Sequence, residues 1–309
     1  MFRLPRPALS ILAGFVVVIA SACSSSAAPT SSVAGGGSPG AQTSAAPTAN
    51  ANDPNAIITA ALAGESAVTS FHIEIDASGT IKAAALQAEA GSAGAAITSD
   101  VKLDGTTIQG DVDVANSAAD LSFNVPPMAM LGNAPLTGDL ILKDSILYYK
   151  VSLMGPKYTK MDLGSLGSSL GALASSMPVA VPTAVASAAG LTDELSQLQA
   201  ELTQAGFKAT LVGVDQIGGQ DADHITISFP LDMLNSEIAA SAPSSGPVPT
   251  IDSASLDVWI YKANSQLAKV ELKGASAELG DIDLVMTITN YNAPVTINAP
   301  AASDIGASS

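Results

Sequence analysis

Period-two alternation constrains this chain more than any other feature. In Phe71-His72-Ile73-Glu74-Ile75-Asp76 every second residue is apolar. Successive side chains of a strand point to opposite faces, so such a run predicts a strand with one dry and one wet face. The pattern returns over residues 101–105, 108–114, 121–125, 139–149, 158–163, 207–215, 223–229, 256–261, 267–272 and 281–289. Lys143-Asp144-Ser145, Gly218-Gly219 and Ala263-Asn264-Ser265-Gln266 separate neighbouring runs as hairpin turns, and Gly79 marks a turn or a bulge. About ten strands follow, joined as successive antiparallel hairpins.

The helices fall between runs of strands. Asp53 and Pro54 stand as cap and first residue of a helix carrying Ile57, Ile58, Ala61 and Leu62 at helical spacing. Residues 83–96 are ambiguous, either a short insertion or a badly patterned strand. Residues 163–190 keep a helical leucine step softened by glycines and broken by Pro178 and Pro182. Residues 191–206 and 231–240 predict two cleaner helices. Grouped helices among strands fit an α+β domain with helices on one face of a large antiparallel sheet. The dry face then needs cover from helices, another sheet or a bound apolar ligand.

The N-terminus is of a different kind. Arg3 and Arg6 precede an apolar run from Ala8 to Ala20, and Ser21-Ala22 leads to Cys23, the only cysteine. This order predicts a secretory signal peptide over residues 1–22. The run Ile19-Ala20-Ser21-Ala22-Cys23 resembles a bacterial lipobox, which implies cleavage before Cys23 and acylation of its thiol. Two alternatives stand beside it: an incidental cysteine, or a retained span. The apolar run has 13 residues, where a span needs about 20. Residues 24–52 are Ser, Ala, Gly, Pro and Thr in the main, a composition unable to build a core. With Cys23 they predict a flexible tether, 23–52, with an average reach of ~30 Å. One domain is expected over 53–300 and a disordered tail over 301–309. The expected location is the cell membrane, lipid-anchored and facing the extracytoplasmic side.

Charge and chemistry narrow the function. The formal net charge is -16, and loss of residues 1–22 removes two arginines and no acid. That argues against nucleic acid and against docking on anionic lipid headgroups. His72 and His224 lie in alternating strands, and the acid pairs at 111–113 and 281–283 have the spacing of a solvated strand face. No metal-ligand spacing, phosphate loop or nucleophile motif is present. The expectation is a non-enzymatic protein without cofactor or metal.

The layout resembles the LppX/LprA/LprF/LprG-type lipoproteins of mycobacteria and related bacteria. The resemblance rests on residues 57–75, 137–162, 210–229 and 256–289, behind the lipobox and tether. It departs at 83–96 and 174–190. It implies a strongly curved antiparallel sheet, a half barrel, with helices closing the open side over an apolar cavity. It also implies binding and transfer of acylated lipids or glycolipids in the envelope, with an unidentified envelope transporter as a possible partner. Val112, Val114, Leu121, Phe123, Val125, Ile141, Leu147 and Tyr149 are then the expected cavity wall. Leu163, Leu166, Leu170, Leu173 and Met177 are the expected lid. The alternative is a cell-surface structural or protein-interaction module without a ligand cavity.

Overall fold

A computed structural model describes residues 52–65, 67–90, 98–128, 133–163, 206–241 and 248–306. Its centre is a 12-stranded antiparallel sheet. The strands are β1 (Ser70–Ile81), β2 (Val101–Lys102), β3 (Thr106–Asp113), β4 (Ala118–Val125), β5 (Leu136–Lys143), β6 (Ile146–Val151), β7 (Thr159–Asp162), β8 (Lys208–Ile217), β9 (Gln220–Ser228), β10 (Ser253–Tyr261), β11 (Leu267–Ser276) and β12 (Gly280–Thr289). Their order is β7-β6-β5-β4-β3-β1-β12-β11-β10-β9-β8, with β2 pairing the end of β1. Two hairpin meanders are thus joined edge to edge by β1 and β12. Asp144 and Ser145, both at positive φ, turn β5 into β6, and Gly218-Gly219 turn β8 into β9 in the same way.

Among the described residues three helices accompany the sheet: α1 (Pro54–Glu65), α2 (Ala83–Ala90) and α3 (Leu231–Ser241). Asp53 caps α1, its carboxylate accepting from the Asn55 amide at 3.0 Å. Ile57 and Ala61 of α1 are buried against Ile225 and Ile260, with Leu211, Ile227 and Val258 around them. Burial of a side chain such as Ile57 stabilises by about 1.5–3 kcal/mol. Within the ambiguous stretch 83–96, residues 83–90 form a helix and not a strand. The Asp100 carboxylate accepts from the Ala83 amide at 2.9 Å at the start of this helix.

The expected half barrel does not form. The sheet is open, with β7 and β8 at its two ends, and it is not strongly curled. All extensive strand contacts join ladder neighbours. Strong curvature needs bulges and kinks repeated along the strands. The described ladders shift register at only two places, Leu211/Gly213 and Trp259/Ile260, both toward the β8 end. Of the described helices, α1 is the one that packs most on the sheet, against β8 and β10.

Gly79 does not end its strand. β1 runs on to Ile81 with Gly79 at φ 114°. A Cβ there would stand 2.3 Å from the Asp281 carbonyl oxygen of β12. Close approach of two backbones, rather than a turn, is what this glycine allows.

The chain after β12 crosses the polar side of the sheet. Asn292 pins its start, donating its amide to Ser70 O at 2.8 Å and accepting from the Thr69 amide at 2.7 Å. Ile297 then packs with Ala118, Ile141 and Tyr148 in a buried cluster. The segment expected as a disordered tail holds a 3-10 turn at Ala302–Asp304, and Ile305 bridges Tyr158 in parallel.

Candidate functional site

The registers place apolar residues of nearly every strand on one face. Leu211, Ile225, Val258, Val270, Met286, Ile75, Ile108 and Phe123 follow one another across eight strands. The next row carries Ile288, Ile73, Gly110, Leu121, Leu140 and Tyr149. Under α1 this face is sealed, with Ile225 at 0% and Ile260 at 2% exposure. Across β3 to β6 it is half-buried: Ile108, Leu121, Phe123, Leu140, Leu147 and Tyr149 all keep some accessible surface.

The expected wall residues divide between the two faces. Val112, Leu121, Phe123, Val125, Leu147 and Tyr149 share the apolar face. Val114 lies just past β3, where its amide donates to Thr69 O at 2.8 Å. Ile141 is on the opposite face, 7% exposed beneath Ile297. Among the lid candidates, Leu163 is half-buried beyond β7 and its amide donates to Ser145 O at 2.9 Å. Leu166, Leu170, Leu173 and Met177 lie outside the described residues.

The opposite face carries the charged groups. His224 sits between two carboxylates, Nδ1 3.1 Å from Asp215 and Nε2 3.0 Å from Asp257. Its ring stacks on Trp259, whose Nε1–H donates to Asp215 at 2.8 Å. Thr226 donates a short hydrogen bond to Asp257. Lys269 covers the indole at 4.3 Å from its centroid and bonds Glu271 at 2.7 Å. His72 pairs with Asp111 at 2.8 Å. Each polar group here is matched by a neighbour, and no nucleophile stands against either imidazole in these contacts. The network braces β8 to β11. Periodicity marks these residues as a polar face, and only the register brings them together.

An open depression of about 700 Å3 lies beside β4, β5 and β6. Its lining mixes polar side chains, Ser122, Asp139 and Lys150 among them, with the apolar Phe123 and Pro156. Lys150 is held above the usual lysine range chiefly by its bond to Asp139 at 2.5 Å. This is not the closed apolar chamber that extraction of an acyl lipid requires. With an open, uncurled sheet in place of a half barrel, the expectation of lipid binding and transfer is overturned.

Among the described residues no three His, Cys, Asp or Glu side chains converge to hold a metal ion. No described helix is long and apolar enough to cross a membrane. No family model and no curated protein matches the chain. Several solved structures align with it at low similarity. The Mycobacterium tuberculosis lipoprotein LppX is 15% identical with a TM-score of 0.41, over 79% of this chain and 97% of that one. LprF from Mycobacterium bovis is 13% identical with a TM-score of 0.40, over 81% and 99%. A LolA superfamily protein from Nitrosomonas europaea is 8% identical with a TM-score of 0.22, over 82% and 97%. Likeness of this degree transfers no ligand and no activity to this chain.

Proposed function

We propose that this protein is a non-catalytic module of the bacterial cell envelope, tethered to the membrane through Cys23, that binds a partner protein on the apolar face of its sheet. The observation that carries the reading is the half-buried apolar surface running over β3, β4, β5 and β6 on an open sheet. Contiguous apolar surface of this kind on an exported domain is the mark of an interaction site. Phe123 and Tyr149 supply the aromatic area that dominates such contacts. The net charge of -16 favours a neutral or basic partner. The lipobox-like sequence and the tether support the extracytoplasmic, anchored setting.

Photo-crosslinking in the envelope tests it. A photoreactive residue at Leu140 or Leu147 on the apolar face is expected to give a discrete protein adduct. The same residue at Glu74, exposed on the polar face, is expected not to. Identical adducts from both faces, or adducts to lipid alone from Leu140 and Leu147, would refute the reading.

A further inference from the structure

The β4–β5 and β6–β7 connections lie side by side at one end of the sheet. β4 runs up to Val125 and β6 up to Val151, and the ladder pairs both ends with the start of β5. Ser152 ties the two connections together. Its amide donates to Thr137 O at 2.8 Å, and its hydroxyl donates to Pro135 O at 3.3 Å and accepts from the Thr137 amide at 3.1 Å. The β6–β7 connection then makes a tight turn, Met154 N–H donating to Val151 O at 2.8 Å, with Gly155 at φ 116° after it. The turn presents two large apolar side chains to solvent, Leu153 at 55% and Met154 at 66% exposure.

The two loops differ in charge from the rest of this end, where the β2–β3 turn carries Asp104 and the β11–β12 turn carries Glu278. The chain holds 28 acids against 12 bases, yet residues 126–135 and 152–160 contain no acid, and the second stretch contains Lys157 and Lys160. Both lysines are exposed. Asp139 beside them is occupied by Lys150 at 2.5 Å and by the Tyr158 hydroxyl at 3.4 Å. α1, the first described helix, packs on β8 and β10, with Gly64 against the β10–β11 turn at Asn264 and Ser265.

We infer that the β6–β7 turn is a membrane-contact tip: Leu153 and Met154 enter the interfacial layer of the bilayer that holds the anchor, while Lys157 and Lys160 remain at headgroup level. Flexible apolar side chains flanked by lysines match that interface, where the stem of a lysine lies in the apolar layer and its ammonium in water. Two side chains give a weak contact alone. Next to an acylated cysteine on a ~30 Å tether the bilayer is present at high effective concentration, and a weak contact suffices to fix orientation. The inference rests on the anchored reading proposed above.

The full chain, expressed with its signal and reconstituted in phosphatidylcholine vesicles, provides the test. An environment-sensitive fluorophore is attached at Met154→Cys and, separately, at Asp144→Cys in the β5–β6 turn of the opposite end. Shallow nitroxide lipids are expected to quench the probe at position 154 at least about twofold more than the probe at 144. Equal quenching at both positions, or none at either in chain that floats with the vesicles, would overturn this inference and leave the anchor standing. Failure of the wild-type chain to float would overturn the anchor and the inference with it. A change at position 154 that follows protein concentration without vesicles marks self-association and also overturns it.

Discussion

The imidazole of His224 lies flat on the indole of Trp259, ring centroids 4.3 Å apart and planes 18° from parallel. The two residues are register partners on β9 and β10, so strand pairing itself sets the stack. Lys269, the β11 partner of Trp259, is also in contact with the indole, its ammonium 4.3 Å from the ring centroid. Trp259 is 6% exposed and is the only tryptophan, so its fluorescence reports this one network. Trp259→Phe keeps a ring and loses the donor to Asp215, which should cost about 1–2 kcal/mol. Trp259→Ala should cost about 3–5 kcal/mol. Denaturant midpoints followed by circular dichroism measure both. Equal losses for the two variants would show that the bond to Asp215, and not the ring, holds these strands.

Ile297 gives the segment after β12 its grip. It is 5% exposed against Ala118, Ile141 and Tyr148. Ile297→Ala should destabilise by about 2–4 kcal/mol, as for other buried aliphatic truncations. Ala301→Gly, at an exposed position on the same segment, should change stability by less than about 0.5 kcal/mol. Urea unfolding of the two variants separates a packed strap from a loosely lying tail.

The limits of the sequence reading have physical causes that the residues around Ile297 make plain. Alternation fixed which side of each strand is dry wherever it was regular, as at Phe71 to Asp76. In Leu140-Ile141-Leu142 and Ile146-Leu147-Tyr148-Tyr149 alternation gives way to unbroken apolar runs. A strand covered on both faces reads in just this way, and here the second cover is the chain around Ile297. Ile141 accordingly faces the side opposite Leu147. The cover itself is hard to read, because Val295-Thr296-Ile297 is a short run between Pro294 and Pro300, and Ile305 stands alone among small and polar residues. Curvature was not legible either. Period two assigns faces, whereas curl depends on bulges that appear only once strands are paired.

Gly79 is irreplaceable for a reason specific to its partner strand. The position combines φ 114° with a backbone oxygen, that of Asp281, 2.3 Å from where a Cβ would stand. No rotamer change relieves a clash with backbone. Gly79→Ala should therefore destabilise by about 3 kcal/mol or more, joining backbone strain to displacement of β12. Gly105→Ala is the control, since its φ of 86° is also left-handed but no atom lies within 4 Å of the added Cβ. It should cost about 1 kcal/mol. Thermal unfolding of both variants separates crowding from conformation, and equal losses would remove the crowding argument.

Acylation of Cys23 remains a proposal with a direct test. Detergent phase separation should place the wild-type chain in the detergent phase and Cys23→Ala in the aqueous phase. A single acyl chain binds only marginally, so complete partitioning of the wild type would itself point to more than one chain. Equal release of both proteins to water would refute the anchor.

Glu271 and Asp120 respond to acid in opposite senses. Burial acts to raise Glu271, but hydrogen bonds from Lys269 and Lys273 outweigh it and hold the carboxyl below its ordinary range. Such a group adds stability above its unfolded pKa and loses it as pH falls through the folded one. Asp120 is raised, first by burial and then by Asp139 and Asp111. Its charged form therefore costs stability near neutrality, and acid relieves that cost. At pH 7 Glu271→Gln should be less stable than wild type by about 1 kcal/mol. Asp120→Asn should be more stable by about 0.5 kcal/mol or less, given its exposure. As pH falls through the carboxylate range both differences should shrink toward zero, one from below and one from above. Urea midpoints at neutral and acid pH give the two signs directly. Differences that persist unchanged into acid would show that size and packing, and not charge, govern both sites.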